Sequence, residues 1–293
     1  MRIAFVLQMM LCVLFSQAQS QTMIDYYAAD ARIIPLWNGD EPNSNGLDYG
    51  QPSELPAGNY APNLYLFLPN SQSTKAPMRT ILLCPGGGYG AVSLFREGLM
   101  WKHFFRSENI AMAVVSYRIP CGNAQVPLSD VYRALTILQA NALQWNLNPK
   151  DIGIMGFSAG GHLAATVALN APAEIKPAFQ VLFYPVITMD RSFTHQQTRN
   201  NFLGQDPTDA MVEKYSAELN VTADAPRAFI ATGSRDNVVP VLNSAKYFQA
   251  LSAAGVPAEI HTWPTEVHGF AIECCMPWEA NALLELRDWL RSF

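Results

Sequence analysis

Ile152-Gly153-Ile154-Met155-Gly156-Phe157-Ser158-Ala159-Gly160-Gly161-His162-Leu163-Ala164-Ala165 passes from an apolar strand pattern to a helical one through the turn Gly156-Phe157-Ser158-Ala159-Gly160. Glycine and serine mark many ordinary turns. Here the flanking patterns turn the pentapeptide into a G-x-S-x-G elbow, in which a strained serine projects its hydroxyl above the carboxyl edge of a sheet. Glycines two residues to either side remove the Cβ atoms that would collide in so sharp a turn. Ser158 is therefore the candidate nucleophile.

Working outward, short apolar runs rich in β-branched and aromatic residues alternate with longer segments of helical period from Asn63 onward. That alternation is the signature of repeated βαβ units. It predicts an α/β fold, a mostly parallel sheet with helices on both faces. Strands are expected at Leu64–Leu68, Thr80–Cys84, Ile110–Tyr117, Ile152–Gly156, Gln180–Tyr184, Ala228–Thr232 and Glu259–Trp263. The clearest helices are Leu128–Trp145, Ala159–Asn170, Val241–Ala254, which ends at Gly255, and Trp278–Arg291. Thr188–Ala210 is polar and aperiodic, and is expected to form a small cap beside the carboxyl ends of the strands.

An alcohol nucleophile needs a base, and in folds built this way the acid and then the histidine follow the serine in the chain. Asp236 lies in Gly233-Ser234-Arg235-Asp236-Asn237, after the strand ending at Thr232; His268 lies in Glu266-Val267-His268-Gly269-Phe270, after the next strand. Both loops leave the same end of a parallel sheet as the serine, so the three side chains can converge. His162, four places along the helix from Ser158, is expected to pack or to bond backbone. His261 falls inside a strand, and His103 and His195 precede helix or cap. Arg235 and Glu266 are read as solvated or loop-fixing charges.

The strand ending at Cys84 runs into Pro85-Gly86-Gly87-Gly88-Tyr89-Gly90. Consecutive glycines let backbone N–H groups approach a ligand closely. Together with the N–H after the nucleophile they suit a developing oxyanion, so Gly87, Gly88 and Ala159 are the expected oxyanion hole. A phosphate-binding loop fits less well, because the G-K-[ST] ending and the G-x-G-x-x-G spacing are both missing.

The chain of 293 residues is of a size for one α/β domain, expected over 63–293, with a Gly- and Pro-rich lead-in over 19–62. Residues 1–18 carry Arg2, an apolar run from Ile3 to Phe15 and the small residues Ser16 and Ala18, the layout of a cleaved secretory signal. The run is too short to span a bilayer, so a secreted or periplasmic protein without membrane insertion is expected. The net charge of −5, with no basic block, argues against nucleic acid as a partner. Cys84, Cys121, Cys274 and Cys275 would remain after cleavage; their spacing suggests no zinc site, and their pairing stays open. No metal or organic cofactor is expected.

With these residues in hand, the chain resembles the secreted bacterial α/β hydrolases grouped with acetyl xylan and feruloyl esterases, relatives of the hormone-sensitive-lipase-like esterases. The resemblance covers Pro35-Leu36-Trp37, Asn43 to Gly46, Cys84 to Gly90 and Ser116-Tyr117-Arg118-Ile119-Pro120. It continues through the serine elbow, Tyr184 to Met189, Asn201-Phe202-Leu203-Gly204, the Asp236 loop and His268-Gly269-Phe270. Pro85 departs from the histidine many relatives carry before the glycines, and Arg235 from a second aspartate. The resemblance implies the α/β-hydrolase fold and an acylated carbohydrate as substrate, an O-acetyl group on xylan above all. The residues alone reach esterase chemistry. Feruloyl ester hydrolysis and peptide cleavage by the same triad remain open. A glycoside hydrolase would call for two carboxylates flanking the bond, and no such pair is marked by context; a non-catalytic sugar-binding role would leave the triad without use. Tyr89, Trp263 and Trp278 are candidates for lining the pocket, set against the commoner fate of such aromatics as core.

Overall fold

A computed structural model describes residues 21–51, 55–69, 76–270, 272 and 276–293. The expected signal over residues 1–18, and Cys274 and Cys275, lie outside the described residues. One eight-stranded sheet is formed by β1 (Arg32–Pro35), β2 (Asn63–Phe67), β3 (Met78–Cys84), β4 (Ala111–Ser116), β5 (Leu147–Phe157), β6 (Phe179–Phe183), β7 (Arg227–Gly233) and β8 (Ala258–Trp263). Their spatial order is β1-β2-β4-β3-β5-β6-β7-β8. β2 runs antiparallel to β1 and to β4, and every other neighbouring pair is parallel.

Helices occupy residues 21–28 (α1), Lys102–Ser107 (α2), Gln125–Ala140 (α3), Ala142–Trp145 (α4), Ser158–Asn170 (α5), Gln196–Leu203 (α6), Asp209–Tyr215 (α7), Leu242–Ala253 (α8) and Glu279–Arg291 (α9). β4 and β6 are buried at every position, so both faces of the sheet are covered. α3 packs against α5. α2 and α9 lie together, joined by Glu108, which pairs with Arg287 and Arg291 at 2.7 Å each. α5 is buried all round from Ser158 to Ala168, and its small residues let it seat closely on the sheet.

The structure differs from the expectation in four places, each with a local cause. The lead-in contributes β1, which pairs with β2 through Arg32↔Leu66 to Pro35↔Asn63; its four residues are too few to show a period. The expected Leu128–Trp145 helix is two. It starts earlier, with Pro127 in the first turn where a missing N–H costs little, and breaks at Asn141, whose Nδ2 donates back to the Ile137 carbonyl at 2.8 Å. β5 begins at Leu147, its first half masked by Pro149, Lys150 and Asp151. The cap is not aperiodic, because α6 and α7 lie in or overlap it. α6 buries Thr198, Arg199, Phe202 and Leu203 on one face, and the polar half of that face hid the pattern.

The lead-in is tied to the sheet by a buried charge cluster. Asp130 on α3 accepts the Arg118 backbone N–H at 2.7 Å, the Arg118 guanidinium at 2.8 Å and the Trp37 indole N–H at 2.6 Å. Arg118 in turn donates to the carbonyls of Asn43 and Pro42. Both charges are almost completely buried, so removing one strands the other in a low-dielectric setting. Asp130→Ala is expected to lower the unfolding free energy by about 3–5 kcal/mol, read from urea midpoints at constant slope; an effect below about 1 kcal/mol would show that the cluster is not the anchor.

Candidate active site

The elbow forms where β5 meets α5. Ser158 has φ +51°, a conformation few L-residues adopt without packing to hold them. The flanking glycines are required by close approach. A Cβ on Gly156 would stand 2.2 Å from the Gly160 carbonyl oxygen, and one on Gly160 would stand 2.1 Å from the carbonyl oxygen of Cys84. The elbow thus presses directly against the end of β3, where the glycine loop begins.

Asp236 lies three residues beyond β7. Its Oδ1 accepts the N–H groups of Val238 and Val239, both at 2.9 Å, which leaves Oδ2 facing the His268 Nδ1 at 2.7 Å. The His268 Nε2 stands 2.8 Å from the Ser158 Oγ. The loops carrying the acid and the histidine are stitched together, since Ser234 N–H donates to the Trp263 carbonyl and Arg235 N–H to that of Thr265. Burial acts to raise the Asp236 carboxyl, but the hydrogen bond and charge of His268, with the two backbone donors, outweigh it and hold the carboxyl below the usual range. Ser158, Asp236 and His268 are therefore brought together as one hydrogen-bonded chain. Arg235 and Glu266, 3.4 Å apart, are both mostly exposed, and Arg235 also donates to the Pro264 carbonyl at 3.3 Å.

The glycine loop is braced from several sides. Gly87 has φ +125° and Gly88 φ +62°, and among the described residues neither N–H is donated within the chain. Asn201 on α6 donates to the Gly88 carbonyl at 2.8 Å, and Tyr117 to that of Pro85 at 2.7 Å. Gly86 donates to Glu97 Oε2 at 2.8 Å. Burial pushes the Glu97 carboxyl up, against hydrogen bonds from Tyr184 and Gly86 and the charge of His268. The cap also reaches the loop, because His195 Cε1 and Gln197 Cδ each lie 3.8 Å from where a Gly88 Cβ would be.

Among these, Asn201, Tyr117 and Tyr184 fall in stretches that carried the resemblance, which signalled them without roles. Glu97 had no signal, being a lone acid in Phe95-Arg96-Glu97-Gly98. Tyr89 is 1 % exposed and stacks on Phe202 at 4.7 Å, so it is core and lines no opening. Trp278 borders an apolar cavity with Trp101, Phe183 and Phe270 and stacks on Trp263 at 5.1 Å. Two rings, Phe270 and Tyr184, stand in the contact chain from Trp278 to His268. Cys84 is a buried thiol whose ionisation burial suppresses. Among the described residues, no cluster of ligands suits a metal ion and no helix is long and apolar enough to cross a membrane.

A serine elbow at the carboxyl edge of a mostly parallel sheet of this order defines a hydrolase of the α/β class. The chain belongs to the α/β-hydrolase family, whose pattern matches residues 81–272. It is 36% identical over 230 residues to an acetylxylan esterase of Xylanibacter ruminicola, covering 77% of this chain and 47% of that protein. It is 32% identical over 228 residues to an endo-1,4-beta-xylanase B of Butyrivibrio fibrisolvens, covering 73% and 35%. The chain thus spans less than half the length of either relative. Among solved structures it is similar to an acetyl ester-xyloside bifunctional hydrolase of Caldicellulosiruptor lactoaceticus, with TM-score 0.76, 28% identity, and coverage of 89% of this chain and 96% of that one.

His162 lies one turn along α5 from Ser158. Its Nε2 bonds the Tyr215 carbonyl at 2.8 Å and its Nδ1 the Tyr89 hydroxyl at 2.9 Å, pinning α5 to the cap. Burial pushes its pKa down to about 4. The folded value lies below the unfolded one, near 6.5, so the unfolded chain takes up the proton first and stability falls as pH drops from about 6.5 to about 4. Urea midpoints across that window are expected to fall more steeply for wild type than for His162→Gln; parallel curves would remove His162 as the cause.

Proposed function

We propose that this chain is a serine esterase, with Ser158 as nucleophile, His268 as general base and Asp236 as the acid that orients the histidine. The observation that carries the reading is the hydrogen-bonded chain from Asp236 through His268 to Ser158, at 2.7 and 2.8 Å. His268 Nε2 takes the Ser158 proton as Oγ attacks the ester carbonyl, and Asp236 keeps Nδ1 protonated and stabilises the imidazolium. The N–H groups of Gly87, Gly88 and Ala159 receive the oxyanion as it develops. Collapse expels the alcohol, which carries away the proton from His268 and leaves an acyl-serine. Water, deprotonated by His268, then releases the acid and restores Ser158. No metal or organic cofactor enters the cycle.

The substrate we propose is an acylated carbohydrate, with acetyl on xylan first. Its support is the resemblance of the residues together with relatives that are themselves named an acetylxylan esterase and an acetyl ester-xyloside bifunctional hydrolase. A secretory signal over residues 1–18 and a catalytic domain over 63–293 fit an enzyme meeting such a polymer outside the cytoplasm. One relative is named a xylanase, and that activity would appear as reducing sugar released from deacetylated xylan.

On p-nitrophenyl acetate and on acetylated xylan, Ser158→Ala is expected to lower kcat by roughly 10⁴-fold or more. Asp236→Asn should lose about 10⁴-fold by leaving the histidine in the wrong tautomer. A Ser158→Ala protein of undiminished activity would sink the assignment. Feruloylated and peptide substrates run alongside would move the specificity if either were turned over faster than the acetylated polymer.

A further inference from the structure

The geometry assigns Glu97 as a positioning residue for the oxyanion loop, acting by the reach of its two carboxyl oxygens rather than by its charge. The inference rests on the serine-esterase reading above. Glu97 is 7 % exposed, and among the described residues no cation stands within ion-pair distance of it. A carboxyl in that setting is costly, and its hydrogen bonds indicate what it organises.

Oε2 accepts the Gly86 N–H at 2.8 Å, and Oε1 accepts the Tyr184 hydroxyl at 2.8 Å. Gly86 immediately precedes Gly87 and Gly88. A Cβ on it would stand 2.7 Å from Glu97 Oε2 and 3.0 Å from the Ser158 Cβ, so the carboxyl backs the loop at the nucleophile itself. The same turn grips Gly86 a second time, since the Gly86 carbonyl accepts from Ser93 N–H at 2.9 Å and the Ser93 carbonyl from Glu97 N–H at 3.0 Å. On the other arm, Tyr184 sits at φ +37° just past β6, with its ring 4.8 Å from that of His268. One side chain therefore spans the donor loop and the wall behind the base. Oxyanion donors act only if held to within about 0.5 Å, and a donor displaced from the oxyanion weakens the transition state while leaving substrate binding alone.

Reach and charge are separated by two substitutions. Glu97→Gln keeps the length, its carbonyl accepting from Gly86 N–H and its amide donating to the Tyr184 oxygen. Glu97→Asp keeps the charge but withdraws it by one methylene. With p-nitrophenyl acetate, and with active sites counted by a fluorophosphonate probe, Glu97→Asp is expected to lose roughly 10- to 100-fold in kcat with KM within about twofold. Glu97→Gln should stay within about threefold of wild type in kcat. The inference is overturned if the glutamine variant is as impaired as the aspartate one, if the loss falls on KM, or if kcat per titrated site is unchanged while only the thermal midpoint drops. Should Glu97→Asp fail to fold, Tyr184→Phe cuts the Oε1 arm while leaving Glu97 and its Oε2 arm in place, where lowered kcat at constant KM supports the inference and unchanged kcat overturns it. Ser158→Ala serves as the control, because activity there defeats the esterase reading, whereas an inert control without the glutamine-over-aspartate order defeats the inference alone.

Discussion

The structure turns on the contact between two backbone segments at the carboxyl edge of the sheet. β3 and β5 are parallel neighbours, paired from Thr80↔Ile152 to Cys84↔Gly156. Each strand must then leave the sheet within a few residues. β5 does so by folding back into α5, which is possible only because no Cβ separates Gly160 from the carbonyls of Cys84 and Pro85. The strained Ser158 is the consequence of that approach. It persists because the surroundings are over-determined, with Gly156 packed on Gly160 and Ala164 and the Ser158 carbonyl accepting from Val186 N–H at 3.0 Å. Nucleophile and oxyanion loop thus share one constraint, and a change that relaxes either displaces both.

The acid and the histidine depend on a second pairing. β7 and β8 run parallel from Ala228↔Ala258 to Gly233↔Trp263, so the loops that follow emerge side by side. Main-chain bonds between Ser234, Arg235, Trp263 and Thr265 carry the alignment past the strand ends. Asp236 then spends one oxygen on its own loop and offers the other to His268. The histidine is placed by strands on one side of β5 and the oxyanion loop by a strand on the other, and Glu97 and Tyr184 bridge the two.

The elbow was legible because it is local, written within ten or so consecutive residues, and the βαβ alternation and the chain order of serine, acid and histidine were legible because they are carried by the order of short patterned segments along the chain. What the sequence did not disclose is the part made by edge pairing and by individual side-chain bonds. β1 exists because β2 offers it an edge, and α3 stops at Asn141 through a side-chain bond that competes with the helix. α6 was hidden because Arg199, a charged residue, is buried on its inner face, donating to the Met189 carbonyl at 2.9 Å. Glu97 lacks any pattern around it, and its position becomes meaningful only when Gly86 and Tyr184, far apart in the chain, meet on its two oxygens.

Three buried carboxyls show how environment separates like groups into different tasks. Asp130 faces a guanidinium, an indole and a backbone N–H, and it fastens the lead-in to the sheet. Asp236 is held below the usual range by a histidine and two backbone donors, so it is an anion wherever the histidine must become one half of an ion pair. Glu97 receives neutral donors alone, and burial moves it the opposite way. Asp236, held low, suits electrostatic support of His268, whereas Glu97, with a donor on each oxygen, suits holding those two donors at a fixed distance. The division follows from what each carboxyl touches, since the three share one functional group and one protein interior.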